Sequence, residues 1–393
     1  MMKQKLQRMG MGVCVAIALV LAACGGGGGI GGTGAPIGSL RFAVTDAPSC
    51  GYDQVNITIQ KVRVHASATA ADGDVGWSEV VLAPEKRVDL LTLTNGVLEE
   101  LGQASLPAGK YTQLRLVLAT NGPAAPLANS VVPTGGTETA LDTPSAAQSG
   151  LKLNVDIDVP AGQLADFVID FDACQSVVPR GNSGRFNLKP VIRVIPRLSD
   201  AGQRVVGHVA PTIANTGTLV SLQLNGIPVK ATVPDASGTF VLFPVPVGSY
   251  DLVVTAAGRA TSVMTGVPVT TATVTTVNGT ATAITPVVSA SRTVTGTVTP
   301  TSATVQATQV LSGGPTIETA SAPVDADTGR FSFTLAQAAP GKTAYVPNPA
   351  TLSFTPDAAA AGQYRLVANA GSATQAQAID VTAPVPPVSF TFP

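Results

Sequence analysis

Apolar and polar residues alternate through most of the first half of the chain. In "SLRFAVTDAP", Leu40, Phe42 and Val44 share one face, and a proline turn ends the run. "VNITIQKVRVHA" alternates Val55, Ile57 and Ile59, then resumes as Val62 and Val64. The shift at Gln60–Lys61 predicts a β-bulge that re-aims the strand. Leu114, Leu116 and Leu118 align in "KYTQLRLVL", and Val155, Ile157 and Val159 in "LKLNVDIDVP". "FVIDFDAC" and "RFNLKPVIRVIP" complete the set, while "GVLEELG" predicts one or two helical turns. A period of two with frequent turns predicts an antiparallel β-sandwich.

The second half carries an internal repeat. "RVVGHV", "VSLQLNG" and "DASGTFVLFPVPVGSYDLVVTAAG" are echoed by "RTVTGTV", "ATVQATQV" and "DADTGRFSFTLAQAAPGKTAYV". Gly207 corresponds to Gly296, and Gly238-Thr239-Phe240 to Gly329-Arg330-Phe331, so two modules of similar size are expected. Tyr364 follows Tyr250 at a longer offset, which predicts an insertion around Ala344–Gly362. A Thr-rich stretch separates the copies, and "APVPPVSF" has the composition of a polyproline-like extension. The fold class expected is all-β: tandem β-sandwich domains of immunoglobulin-like or transthyretin-like type.

The N-terminus breaks this pattern. Lys3, Lys5 and Arg8 precede an apolar run from Val13 to Leu21, shorter than the roughly 20 residues that span a bilayer. "LAAC" then resembles the lipobox of bacterial lipoproteins, which implies that Cys24 becomes the acylated N-terminus. Two or more acyl chains hold a protein at a membrane where one is marginal. Gly25–Gly29 and the glycines behind them read as a flexible tether. Gly27, Gly29 and Gly32 have dinucleotide-loop spacing, but no strand precedes them and no helix follows. The divisions expected are a signal peptide at 1–23, a tether at 24–38, and sandwiches at 39–200, 201–284 and 285–393.

Composition narrows function. The 393-residue chain is 12% charged with a net charge of −1, so nucleic acid is not an expected partner. Through Asp200 there are 16 Lys/Arg and 17 Asp/Glu; beyond it only 7 of each, which marks a boundary. With 4% aromatics, no platform for stacking sugars is apparent.

Several motifs of the first half stand in the order of one family. "GSLRFAVTDAPSCGYDQVNITIQKVRVH", "GWSEV", "VDLLTL", "LPAGKYTQLRLVL", "FVIDFDACQSVV" and "FNLKPVIRV" resemble the bacterial lipoprotein domain of unknown function 4382. The resemblance implies a β-rich extracytoplasmic domain and brings no activity. The repeat resembles carboxypeptidase regulatory-like, transthyretin-type modules, in its order G-x-V, D-x-x-G-x-F and G-x-Y-D-L. These share a fold with starch-binding-type domains, an analogy that says little about ligand.

Candidate chemistry is sparse. Cys14 leaves with the signal and Cys24 takes lipid, so Cys50 and Cys174 are expected to form a disulfide outside the cytoplasm. Asp46 and Asp53 flank Cys50, and Asp170 and Asp172 precede Cys174. A bridge would gather these carboxylates, either as turn caps or as oxygen ligands for Ca²⁺. His65 ends a strand beside them. Trp77 reads either as core or as a sugar-stacking residue. With only His65 and His208 and no G-x-S-x-G, a hydrolytic triad is not expected. The function expected is a membrane-anchored, non-catalytic binding or structural module of the cell envelope, at the outer membrane. Its partner would be an unidentified protein or glycan. A carbohydrate-binding surface protein and a carboxylate-dependent hydrolase are the alternatives.

Overall fold

The computed structural model describes residues 35–46, 51–123, 125–144, 146 and 149–393. The signal segment, Cys24, most of the tether and Cys50 lie outside the described residues. What is described is almost entirely β, arranged as three pairs of sheets in tandem.

In the first sandwich one sheet has the order 192–196, 164–171, 37–46, 99–107. The facing sheet is built around the long strand Tyr52–His65, with Gly109–Leu118, Ser78–Asp89 and Ser130–Pro133 as its partners. The predicted faces meet between the sheets: Leu40, Phe42, Val55, Ile57, Leu114 and Leu116 are all at most 1% exposed. Burial of each such side chain contributes about 1.5–3 kcal/mol, which outweighs the entropy cost of ordering it. The pairing register shifts between Ile59 and Lys61, where the bulge is expected.

Two expectations differ from the structure. Ile37–Asp46 and Leu164–Phe171 pair in parallel, so the sandwich is not purely antiparallel. The second of these strands arrives more than a hundred residues after the first, and alternation carries no information about direction. "GVLEELG" forms no helix: Glu99–Pro107 is a strand paired with Ile37–Val44. A helix this short is marginal alone, whereas the open edge of the first strand offers a full ladder.

The two C-terminal sandwiches share one plan. Val205–His208 pairs with Thr239–Leu242 as Ser291–Thr299 pairs with Arg330–Ala336. Gly207 lies opposite Phe240, and Gly296 opposite Phe331. A Cβ on either glycine would come within 2.4 Å and 2.3 Å, respectively, of that ring. The repeated G…F pairing is thus a packing device. The phenylalanine lies over the bare backbone of its cross-strand neighbour.

The insertion in the third module has a structural purpose. Gly341–Ala344 leaves its own sandwich and pairs in parallel with Ser262–Val269 of the middle one, and Thr355–Pro356 continues that sheet. Tyr345, Leu352 and Phe354 from the same segment pack on the middle core. Residues 36–393 form one compact unit.

A shared local device appears in the first and middle sandwiches. Tyr111 donates its hydroxyl to the Pro107 carbonyl at 2.7 Å, and Tyr250 to that of Pro246 at 2.8 Å. "PAGKY" and "PVGSY" both carry P-x-G-x-Y, so a short sequence signal marks this corner.

Candidate functional site

Several buried polar groups gather where the three sandwiches meet. Leu164–Phe171 ends with Val168, Ile169, Asp170 and Phe171 all buried, although alternation would leave half of them in water. The second face is covered by the middle sandwich. From there Lys230, in the strand Ile227–Thr232, reaches Asp170 and forms an ion pair in which both side chains are at most 2% exposed. Burying either charge alone would cost several kcal/mol, so each requires the other. Asn95 closes the same boundary, accepting from Val241 N–H at 2.5 Å. Its own N–H donates to Thr232 Oγ1 at 2.7 Å.

Beside this pair lies a cavity of about 500 Å³ lined by all three sandwiches. The first contributes Asp172, Cys174 and Gln175, the middle one Ser221 and Gln223, and the third Glu318. Asp172 caps the short helix Ala173–Ser176. It accepts from Gln175 N–H at 3.0 Å and from the Gln175 side-chain amide at 2.7 Å. Gln223 is buried and joins the second and third modules by two bonds. Its Nε2 donates to the Glu318 carbonyl at 2.8 Å, and Glu318 N–H donates to its Oε1 at 2.8 Å. This fixes the backbone from which the Glu318 side chain extends along the cavity wall.

The carboxyls here are perturbed in one direction. Burial pushes Glu318 up to about 7; the neighbouring Asp172 charge adds to this, and Arg193 opposes it. Burial also raises Asp172, against the Gln175 bonds and Arg193. Asp46, 1% exposed, is raised well above the usual range by burial. One oxygen of Asp46 accepts from Ala173 N–H at 2.9 Å. Among the described residues no basic or aromatic side chain lines the cavity.

The expected acidic set is therefore partly assembled. Asp46, Asp170 and Asp172 come close enough to influence one another. Asp53 does not join them: it is exposed and accepts from Gly135 N–H at 3.3 Å. Asp170, moreover, already has the Lys230 ammonium as its cation. Among the described residues, no group of three or more His, Cys, Asp or Glu side chains is disposed to hold a metal ion. Asp46, Asp53, Asp170 and Asp172 thus do not come together as one oxygen cluster of the kind expected for Ca²⁺. Cys174 lines the cavity and is not a free thiol.

Trp77 is neither core nor an open stacking surface. The guanidinium groups of Arg63 and Arg115 lie 4.5 and 4.9 Å from its ring centroid, and the His65 ring is 5.1 Å away. Its indole N–H donates to the Ala71 carbonyl at 2.9 Å. Cation–π contact with two arginines leaves little ring for a sugar. His65 has both nitrogens engaged by backbone: Nδ1 accepts from Ser67 N–H at 2.9 Å, and Nε2 lies 3.0 Å from the Val75 carbonyl. That network assigns the Nε2–H tautomer. His208 lies in the middle sandwich, with Nδ1 3.3 Å from Thr239 Oγ1.

Residues 37–190 match the family model of the domain of unknown function DUF4382. The DUF4382 region covers nearly all of the first sandwich and supplies Asp46, Asp170, Asp172 and Cys174 to the junction. No curated protein matches the chain. Among solved structures, a type II cohesin–X-dockerin complex from Acetivibrio cellulolyticus matches at 23% identity over 22% of this chain and 59% of that chain, with a TM-score of 0.19. A second interface mutant of that complex gives 23%, over 21% and 56%, at 0.18. The Bacillus anthracis TIE protein matches at 10% identity over 91% of this chain and 50% of that one, at 0.16. The chain thus spans little more than half of the cohesin–dockerin chains it matches, and scores this low carry no argument about fold or partner.

Sequence reasoning missed Lys230, Gln223 and Glu318. A faint signal existed. In a half with only seven Lys/Arg and seven Asp/Glu, Lys230 and Glu318 each sit inside a strand segment, in "IPVKAT" and "TIETASA".

Proposed function

We propose that the protein is a lipid-anchored module of a Gram-negative cell envelope, non-catalytic, with a binding or structural role. The observation that carries this reading is the locking of three sandwiches into one unit. The Lys230–Asp170 pair, the Gln223–Glu318 bonds and the strand Gly341–Ala344 join domains that a flexible array would leave independent. A body built this way can present or space a surface as one unit beyond the tether. Anchoring rests on the basic and apolar leader, "LAAC" and the glycine tether. The non-catalytic reading is favoured by the engagement of both His65 nitrogens with backbone. The kinship of the second and third sandwiches with carboxypeptidase regulatory-like modules is part of the same proposal, as is a bridge between Cys50 and Cys174. Gly51, adjacent to Cys50, and Cys174 line the same cavity, which supports that pairing. A bridge across a loop of roughly 120 residues would stabilise the fold by about 4–5 kcal/mol in the chain-entropy model.

The anchor is tested by metabolic labelling with palmitate in the native host. Label is expected in the wild-type chain and absent in Cys24→Ala; equal labelling would refute acylation at Cys24. Proteinase K on intact cells, with an epitope after Pro393, then separates a surface-facing from a periplasm-facing module.

A further inference from the structure

We propose that the three-sandwich cavity binds a small organic cation through a primary ammonium group, with Glu318 and Asp172 as its counter-charges. This names a ligand class for the binding module proposed above and rests on that reading. Volume is the first constraint on the ligand. About 500 Å³ falls within the range of small-molecule sites and far exceeds what a bare metal ion fills. Junctions between domains are also where such sites form.

The lining then restricts chemistry. Among the described residues the cavity presents two carboxyls, several hydroxyls and no basic side chain, so an anion would meet carboxyls with no cation on the walls to offset them. With no aromatic ring among those residues, a nucleobase or a sugar face has nothing to stack on. A divalent ion needs six or more oxygens at 2.3–2.6 Å, and the described residues offer no cluster of three candidate ligands. An ammonium group, by contrast, needs three acceptors, which two carboxylates and a neighbouring hydroxyl can supply.

The contrast with Lys230 strengthens the inference. Nearby, the same junction satisfies one buried carboxylate, Asp170, with an alkylammonium from within the chain. Among the described residues Glu318 has no such ion-pair partner: its backbone is fixed by Gln223, while the charges acting on its carboxyl are Asp172, which disfavours ionisation, and Arg193, which favours it. A ligand amine would complete at Glu318 the arrangement that Lys230 completes at Asp170. Because the Glu318 carboxyl is pushed up to about 7, amine binding should strengthen as pH rises from 6 to 8, by roughly tenfold.

Isothermal titration of the full chain tests this, with putrescine as probe, 1,4-butanediol as its neutral analogue and calcium chloride as the ionic alternative. Saturable one-site binding of putrescine at pH 8 is expected, weakened at least tenfold in Glu318→Gln and weaker at pH 6. The diol should give no saturable heat. Glu318→Gln keeps the size of the side chain, and its unchanged or raised melting temperature serves as the folding control. Absence of saturable putrescine binding, equal binding by the diol, an unaffected Glu318→Gln variant, or displacement of putrescine by micromolar calcium would each overturn the proposal. A flat titration leaves the palmitate result standing, and a failed palmitate label leaves the titration standing, so the two readings fail separately.

Discussion

Asp170 and Glu318 are both carboxylates at domain boundaries, and their surroundings differ. Asp170 meets the buried ammonium of Lys230, and the pair closes the contact between the first and middle sandwiches. Glu318 faces a cavity, its backbone amide and carbonyl held by Gln223 while its carboxyl is raised by burial and by Asp172. The difference shows how one junction can hold both a cement and an opening. Where the charge is matched inside the chain, the gap is closed. Where it is not, space remains.

The largest loss of stability is expected at Lys230. Lys230→Met leaves Asp170 buried without its partner and should cost about 3–5 kcal/mol of unfolding free energy. The double variant Lys230→Met/Asp170→Leu should recover most of that loss. Chemical denaturation of the three proteins is the check, and a double variant no better than the single one would contradict the account.

Glu318 should act in the opposite sense. Its folded pKa lies above the ordinary value of 4.5, so the folded state holds a proton that the unfolded state has released. Stability should therefore fall as pH rises from about 4.5 to about 7, by on the order of 2–3 kcal/mol from this group alone. Glu318→Gln should flatten that part of the profile and stabilise the protein at pH 8. Melting curves at pH 5 and 8 for both proteins measure this.

The repeated glycines come next. Gly207→Ala and Gly296→Ala place a methyl within 2.4 Å and 2.3 Å of the facing phenylalanine rings, so each should cost about 1–3 kcal/mol through overpacking. Similar losses at both positions would sharpen the equivalence of the two modules. A neutral result at either would show that its surroundings, Phe240 and Val277 at Gly207 or Phe331 and the Val388 carbonyl at Gly296, can move aside. The smallest effect is expected at the tyrosine corners, where Tyr111→Phe and Tyr250→Phe each remove one hydrogen bond and about 0.5–1.5 kcal/mol.

Much of the fold was legible along the chain. Period-two alternation placed Leu40, Phe42, Val55, Ile57 and Leu114 in the first core, and the phase shift at Gln60–Lys61 located its bulge. Alternation works because a strand turns successive side chains to opposite faces, so a half-buried sheet writes its orientation into the sequence. It fails where both faces are covered. From Val168 to Phe171 every residue is buried, because the middle sandwich lies on the outer face; at Thr45 the cover is the chain's own 93–97 segment, whose Leu93 and Val97 carbonyls accept from its hydroxyl.

The candidate site was legible only in part, for the same reason. Asp46, Asp170 and Asp172 were marked by their nearness to the cysteines, and the structure does bring them together. Asp53 shares the spacing but points to solvent, since the strand Tyr52–His65 carries it to the Gly135 turn. Lys230, Gln223 and Glu318 come from strands roughly 50 to 150 residues further along, and no local pattern ties them to Asp170 or Asp172.

The all-β class, the tandem modules of the second half and the strand faces of the first core are written in the order of residues along the chain. These depend on interactions between near neighbours and on the pleat. Only the tertiary structure decided which carboxylate is paired, which is left facing a cavity, and that the insertion of the third module extends the sheet of the second. Those outcomes depend on how separate sandwiches dock, where burial alters the energy of a charge far more than any change of neighbours along the chain.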